Sequence, residues 1–210
     1  MKKTRIAVFV SGGGTNLQAI IDYAEAGKIP HGTLALVLSS QPDAYALTRA
    51  EMHNIPTAMV PRKMYDTQEK FEDAICKVLK ENEIDMIVLA GFLTILGESF
   101  VKKFPRRIIN VHPSLIPSFC GKGFYGLRVH QAALEYGVKV TGATVHFVNE
   151  VPDGGEIILQ KAVTIRKGET PESLQQNVMR HAEWIILPRA TEMVAKMIAK
   201  GGKSVEDYEI

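Results

Sequence analysis

Asn110 and His112 stand two residues apart in the run Ile108-Ile109-Asn110-Val111-His112-Pro113. If that run is a strand, its period of two puts both side chains on one face. An amide donor beside an imidazole suits stabilisation of a developing oxyanion. The simpler alternative is a pair of polar residues capping a strand end. A second feature is Ser11-Gly12-Gly13-Gly14-Thr15-Asn16, directly after the apolar run Arg5–Val10. Free N–H groups where a strand turns into a helix attract anions, and glycines let a phosphate come close. A dinucleotide fingerprint would need glycine where Leu17 stands and an acid near Ser39-Ser40-Gln41. No Gly-Lys-Ser/Thr follows either, which removes a triphosphate loop and leaves a phosphomonoester, or a plain tight turn. The third feature, Asp153 in Pro152-Asp153-Gly154-Gly155, reads first as turn chemistry. Brought beside His112, its carboxylate would favour the imidazolium and fix the ring.

The remaining histidines offer less. His31 and His53 fall near turns and helix ends and are expected to face solvent. His130 and His181 lie on expected helices without a partner at metal spacing, and His146 shares a strand face with Thr144 as a neighbour of the site. With no H-E-x-x-H and no paired cysteines, no metal is expected.

The elements that must position these residues alternate regularly. Strand-like runs at Arg5–Val10, Leu34–Leu38, Thr57–Val60, Met86–Ala90 and Ile108–Val111 alternate with helical patterns at Leu17–Ala26, Ala44–His53 and Phe71–Leu79. Unbroken apolar strands between helices indicate a parallel sheet covered on both faces. After about residue 138 the pattern changes: Val140–Val148 and Ile157–Ile165 flank the Pro152–Gly155 turn as an antiparallel pair. Thr170-Pro171 opens a helix that reaches about Lys200, with a kink expected at Pro188. The expected fold is α/β, a Rossmann-like doubly wound and mostly parallel sheet with helices on both faces and added antiparallel strands in the C-terminal half.

Composition bounds the function. At 46% hydrophobic and 23% charged residues the chain is globular rather than disordered. A net charge of +2 gives no electrostatic footprint for nucleic acid. Cys76 and Cys120, far apart, fit a reducing compartment. No apolar run approaches the ~20 residues of a membrane helix, and the N-terminus lacks a signal-peptide pattern. A cytoplasmic enzyme or ligand-binding domain is expected.

Together the segments VSGGGTNLQAIID, IDMIVLAGFLTIL, INVHPSLIPSF, VTGATVHFVNEVPDGGEIILQ and HAEWIILP resemble the phosphoribosylglycinamide formyltransferases, folate-dependent enzymes of purine synthesis within the formyltransferase superfamily. The resemblance covers nearly the whole chain and implies one formyltransferase domain over 1–210, with a phosphate-binding half to about residue 100 and a catalytic and folate half beyond. It implies Asn110, His112 and Asp153 as the catalytic trio. Gly12, Gly13, Gly14, Thr15 and Asn16 would hold the substrate phosphate, and Glu183, in the stretch Arg180-His181-Ala182-Glu183, would contact the ribonucleotide. Leu93, Thr94, Ile95 and Leu96 with Asn149, Glu150, Val151 and Pro152 would enclose the pterin, with Gln68, Asn110 and Asp153 also on the folate side. Thr144 takes the place of a small hydroxyl residue near the reacting centre. The family often carries arginine where this chain has Gln68 and Thr94, and proline where it has Cys120.

The implied reaction is attack of the glycinamide ribonucleotide amine on the formyl carbon of 10-formyltetrahydrofolate, the co-substrate, with no metal. Asn110 and a protonated His112, kept charged by Asp153, would donate to the tetrahedral oxyanion. A formyltetrahydrofolate deformylase, a transfer-RNA formyltransferase and a non-catalytic nucleotide-binding module are the alternatives. The first two are expected to carry appended domains, and the module would have no use for the trio. Partners are expected to be these small molecules, without nucleic acid or membrane; oligomeric state is left open.

Overall fold

The apolar runs of the first half become five parallel strands, β1 (Thr4–Val10), β2 (Gly32–Ser39), β3 (Thr57–Met59), β4 (Met86–Leu89) and β5 (Ile108–His112), in a computed structural model that describes residues 2–202, 204 and 205. β6 (Val140–Phe147) and β7 (Ile157–Thr164) then add antiparallel to β5. The sheet order is β3-β2-β1-β4-β5-β6-β7. The chain therefore reverses direction across the sheet between β1 and β4, the place where open α/β sheets bind ligands beyond their strand ends.

Seven α-helices cover the sheet among the described residues: α1 (Thr15–Glu25), α2 (Tyr45–Met52), α3 (Gln68–Glu81), α4 (Glu98–Lys102), α5 (Leu127–Tyr136), α6 (Pro171–Val178) and α7 (Trp184–Ala199). β1 shows why its sequence is an unbroken apolar run. Ile6, Val8 and Val10 pack with Leu17 and Ile20 of α1 and Leu187 and Val194 of α7. Ala7 and Phe9 point the other way, to Phe71 and Ile75 of α3 and Phe100 of α4. Both faces are buried, so no polar alternation survives. None of the helices among the described residues is long and apolar enough to cross a membrane.

Local sequence explains the helix starts. Thr67 caps α3 by accepting from Lys70 N–H. At α6, Thr170 accepts from Ser173 N–H, Ser173 Oγ accepts from Thr170 N–H, and Pro171 fills the first position. Pro188 does sit inside α7, but the break comes earlier, as a π-helical turn over Met179–Glu183. Proline withholds a hydrogen bond from the carbonyl four residues before it and crowds it, so the disturbance propagates N-terminally.

Candidate active site

β5 carries Asn110 and His112 on one face, and its antiparallel neighbour sets His146 opposite Asn110 and Thr144 opposite His112. Val148 N–H donates to Ile108 O, so β6 is left at the lower end of β5. Asp153 nevertheless lies beside His112, about 13 Å further up at the usual strand rise. The segment between β6 and β7 thus folds back over the sheet face. Gly155 permits the return: a Cβ there would lie 1.7 Å from the Phe147 carbonyl oxygen. At the crest Asp153 has a φ of 56°, stabilised by the Gly154 N–H to Val151 O bond of the turn. A non-glycine residue in that region is strained, and the strain aims its carboxylate inward.

Asp153 Oδ2 lies 3.4 Å from His112 Nδ1 and its Oδ1 3.6 Å from His146 Nε2. Gly121 N–H donates to the same carboxylate at 2.8 Å. His112 Nε2 donates to the Phe119 carbonyl at 2.8 Å. His146 Nδ1 donates to the Phe147 carbonyl, which leaves its Nε2 to accept from Asn110 Nδ2 at 3.2 Å. An asparagine amide has two N–H donors, so one stays available to a bound oxygen.

The electrostatics correct one expectation. Burial pushes His112 below the ordinary histidine range, and the pull of Asp153 and the Phe119 carbonyl only partly restores it. The resting ring is therefore mainly neutral at pH 7, rather than held charged by its neighbour. Burial raises the Asp153 carboxyl too, but the two imidazoles beside it, His146 and His112, and the Gly121 N–H together bring it below the usual carboxylate range. Asp153 stays ionised, ready to stabilise a proton that arrives on His112.

The Thr144 hydroxyl is fully occupied. It donates to Ser114 O and accepts from Ile116 N–H and Gln160 Nε2, pinning the segment that carries the Phe119 carbonyl to His112. Neither Gln160, on β7, nor Gly121 stood out in the sequence, because a lone glutamine or glycine carries no motif. Only the strand register, with Gln160 opposite Thr144, could have paired the former.

On the same sheet edge Gly12–Asn16 turn β1 into α1. Gly14, at φ 73°, precedes the first helical residue. Asn16 Nδ2 donates to Glu183 Oε2 at 2.7 Å, so the π turn meets the glycine turn. Burial pushes the Glu183 carboxyl up, against the pull of Asn16. Ala182 is buried beside it, whereas Arg180 and His181 are exposed.

The loop after β4 is tied to the glycine turn. Leu93 N–H donates to Ser11 Oγ at 3.0 Å, the Thr94 hydroxyl donates to Ser40 Oγ at 3.3 Å, and the two serine hydroxyls are 3.0 Å apart. Gln68 Nε2 donates to Ile95 O and to Glu72, whose carboxylate also takes Gly97 N–H. Leu93 and Ile95 are left 70% and 76% exposed, and Val151 on the folded-back segment 61%, a set of apolar side chains facing solvent. Asn149 holds that segment, accepting from Val151 N–H and donating to Gly154 O; Glu150 and Pro152 are exposed on it. Among the described residues no cluster of His, Cys, Asp and Glu could hold a metal ion.

A family model described as formyl transferase matches residues 4–191, which takes in every strand and the whole cluster. The chain belongs to the formyl transferase family. It is 41% identical over 207 residues to the phosphoribosylglycinamide formyltransferase of Haemophilus influenzae, covering 99% of this chain and 92% of that one. It is 42% identical to the human trifunctional purine biosynthetic protein adenosine-3, covering 97% of this chain but 19% of the relative. The chain thus spans about a fifth of the trifunctional relatives that it matches. Among solved structures, glycinamide ribonucleotide transformylase 1 of Symbiobacterium toebii superposes with a TM-score of 0.86 at 39% identity, over 95% of this chain and 89% of that one. Membership of the formyl transferases agrees with the mixed, mostly parallel sheet.

Proposed function

We propose that the chain transfers the formyl group of 10-formyltetrahydrofolate to the amine of glycinamide ribonucleotide in purine synthesis. The observation that carries this reading is the cluster of Asn110, His112, His146 and Asp153 on the sheet edge that also bears the glycine turn. β1 and β5 are two strands apart, about 10 Å at the usual spacing. A phosphorylated ribose with a short amide arm bridges that gap: phosphate on Gly12–Asn16, ribose toward Glu183, amine at His112. Arg180, His181 and Ala182 frame the ribose side. The exposed apolar residues of Leu93–Leu96 and Asn149–Pro152 provide a slot for the pterin, with Gln68 bracing the first loop from behind.

Orientation of amine and formyl carbon supplies much of the acceleration. As the amine attacks, Asn110 donates its free N–H to the oxyanion. His112, neutral at rest, takes the proton that the amine sheds, and the imidazolium is stabilised by Asp153. At rest the ring proton sits on Nε2, held by the Phe119 carbonyl. When substrate takes the place of that carbonyl the proton moves to Nδ1, where Asp153 accepts it, and Nε2 is free to take the proton from the amine. The proton then passes to the departing folate nitrogen.

The test is purified protein with 10-formyltetrahydrofolate, with and without glycinamide ribonucleotide. Tetrahydrofolate released only with the amine is the expected result. Release without it would replace transfer by hydrolysis, and no release in either case would leave a binding module.

A further inference from the structure

Two carbonyls of the glycine turn are held by α2. Ala46 N–H donates to Gly12 O at 3.1 Å, and Arg49 Nε donates to Gly13 O at 2.8 Å. In a trans peptide the C=O and the N–H that follows it point in opposite directions. Fixing the Gly12 carbonyl toward α2 turns Gly13 N–H away from that helix, and fixing the Gly13 carbonyl does the same for Gly14 N–H. Among the described residues neither N–H meets an acceptor. Two successive N–H groups presented on one side, with a left-handed residue in the pair, form an anion nest. Gly14 supplies that conformation at φ 73°, and it packs so closely that a Cβ would lie 2.6 Å from Ala46 Cβ.

Arg49 is itself held in place. Its NH1 donates to Gln18 Oε1 at 3.0 Å, and the guanidinium lies 5.1 Å from the Tyr45 ring centroid. These partners are a carbonyl, an amide and a ring, none of them anionic. Among the described residues the guanidinium charge has no direct ion-pair partner, Asp22 being reached only through Gln18, and it sits behind the nest.

We infer that Arg49 is the positioning residue of the phosphate site, moulding the glycine turn so that the Gly13 and Gly14 N–H groups face the anion and adding its charge from behind. The inference rests on the phosphate reading of Gly12–Asn16. Lysine would keep the charge but not the planar fork that reaches Gly13 and Gln18 together.

The experiment compares wild type, Arg49→Met and Arg49→Lys by steady-state kinetics and by calorimetric titration with inorganic phosphate. For Arg49→Met, KM for the ribonucleotide and Kd for phosphate are expected to rise together by roughly tenfold or more, the scale of one charge-assisted hydrogen bond. kcat and KM for the folate should stay within about twofold on the same basis. Arg49→Lys should fall between the two and carries the test if Arg49→Met does not fold. Unchanged phosphate binding in the variants would overturn the role of Arg49 while leaving the phosphate site intact. A parallel rise of both KM values with a fall in kcat would overturn it as well, since that is a general loss of structure. If phosphate neither binds wild type nor competes with the ribonucleotide, the phosphate reading fails and this inference with it.

Discussion

The glycine turn and the Asp153 turn both present polar groups on one sheet edge, but they are built over very different distances along the chain. Gly12–Asn16 takes its place from a buried strand before and a helix after, and contacts from α2 and Glu183 only refine it. Asp153 reaches His112 only because the chain passes the end of β5, folds back over the sheet and is caught by Gly121 N–H. The first arrangement forms with β1 and α1, and α2 and Glu183 then only set the direction of its carbonyls and of Asn16. The second depends on residues 32 to 41 positions apart meeting, which makes it the more fragile.

Several substitutions would break or sharpen that contrast. The largest effect is expected for Asp153→Asn, which suits the positive φ at least as well and removes only the charge. Turnover should fall roughly 10²–10⁴-fold with KM values little changed. The pH–rate limb of His112 should move to lower pH, as the imidazolium loses its partner. Wild-type turnover and pH profile would reduce Asp153 to a hairpin residue.

Asn110→Ala removes an oxyanion donor without touching the fold-back, and should cost about 3 kcal/mol of activation free energy in kcat. A comparable loss in Kd for the folate alone would assign Asn110 to binding instead.

The C-terminal half should also be acid-labile. His130 of α5 is buried with both ring nitrogens unpartnered, and burial, with His112 adding to it, pushes it from 6.5 down to about 4. The folded state binds this proton more weakly than the unfolded one. Its contribution is whole above pH 6.5 and is lost as pH falls toward 4. The loss approaches about 3 kcal/mol. His112, shifted the same way, steepens the fall. Melting curves between neutral pH and pH 4 should show it, and His130→Leu should flatten the slope.

Gly14→Ala tests the local site. The left-handed backbone and the Ala46 contact should cost about 1–3 kcal/mol, seen as a raised ribonucleotide KM with the folate KM nearly unmoved. Equal rises in both would show that the turn serves the fold rather than a ligand. The smallest effect is expected for Thr94→Val, which removes one partly exposed hydroxyl bond to Ser40. A folate KM raised about fivefold, or about 1 kcal/mol, is the expected outcome. No change would place Thr94 outside the folate slot.

What could be read in the sequence follows the same divide. The parallel strands, the place of the glycine turn and the capped start of α6 are written in runs of a few residues, and each forms where the pattern put it. Asn110 and His112 share a face because strand geometry leaves no choice. The resemblance pointed to Asp153, but the path that brings it to His112 depends on Gly155 passing the Phe147 carbonyl, which no local pattern encodes. The protonation of His112 lies beyond local pattern for a related reason. A neighbouring carboxylate can be guessed from a motif, whereas the depth of burial that outweighs it belongs to the packed fold. Thr144 was noticed for its hydroxyl, yet its work of pinning the Ser114–Ile116 segment is visible only once Gln160 lies opposite.

The π turn at Met179–Glu183 bears on how this chain can gain or lose residues. It accommodates a residue more than an α-helical turn would, just where Glu183 is swung toward Asn16. Deleting one residue there would restore regular winding and rotate α7 about 100° relative to α6. Leu174 and Val178 could then stay on the sheet only if Leu187, Ala190 and Val194 left it. Chain length between Thr170 and Pro188 is therefore fixed by the core and by the glycine turn at once. Deletions in this stretch should be purged, while the exposed turn at Arg166–Glu169 just before it can vary in length.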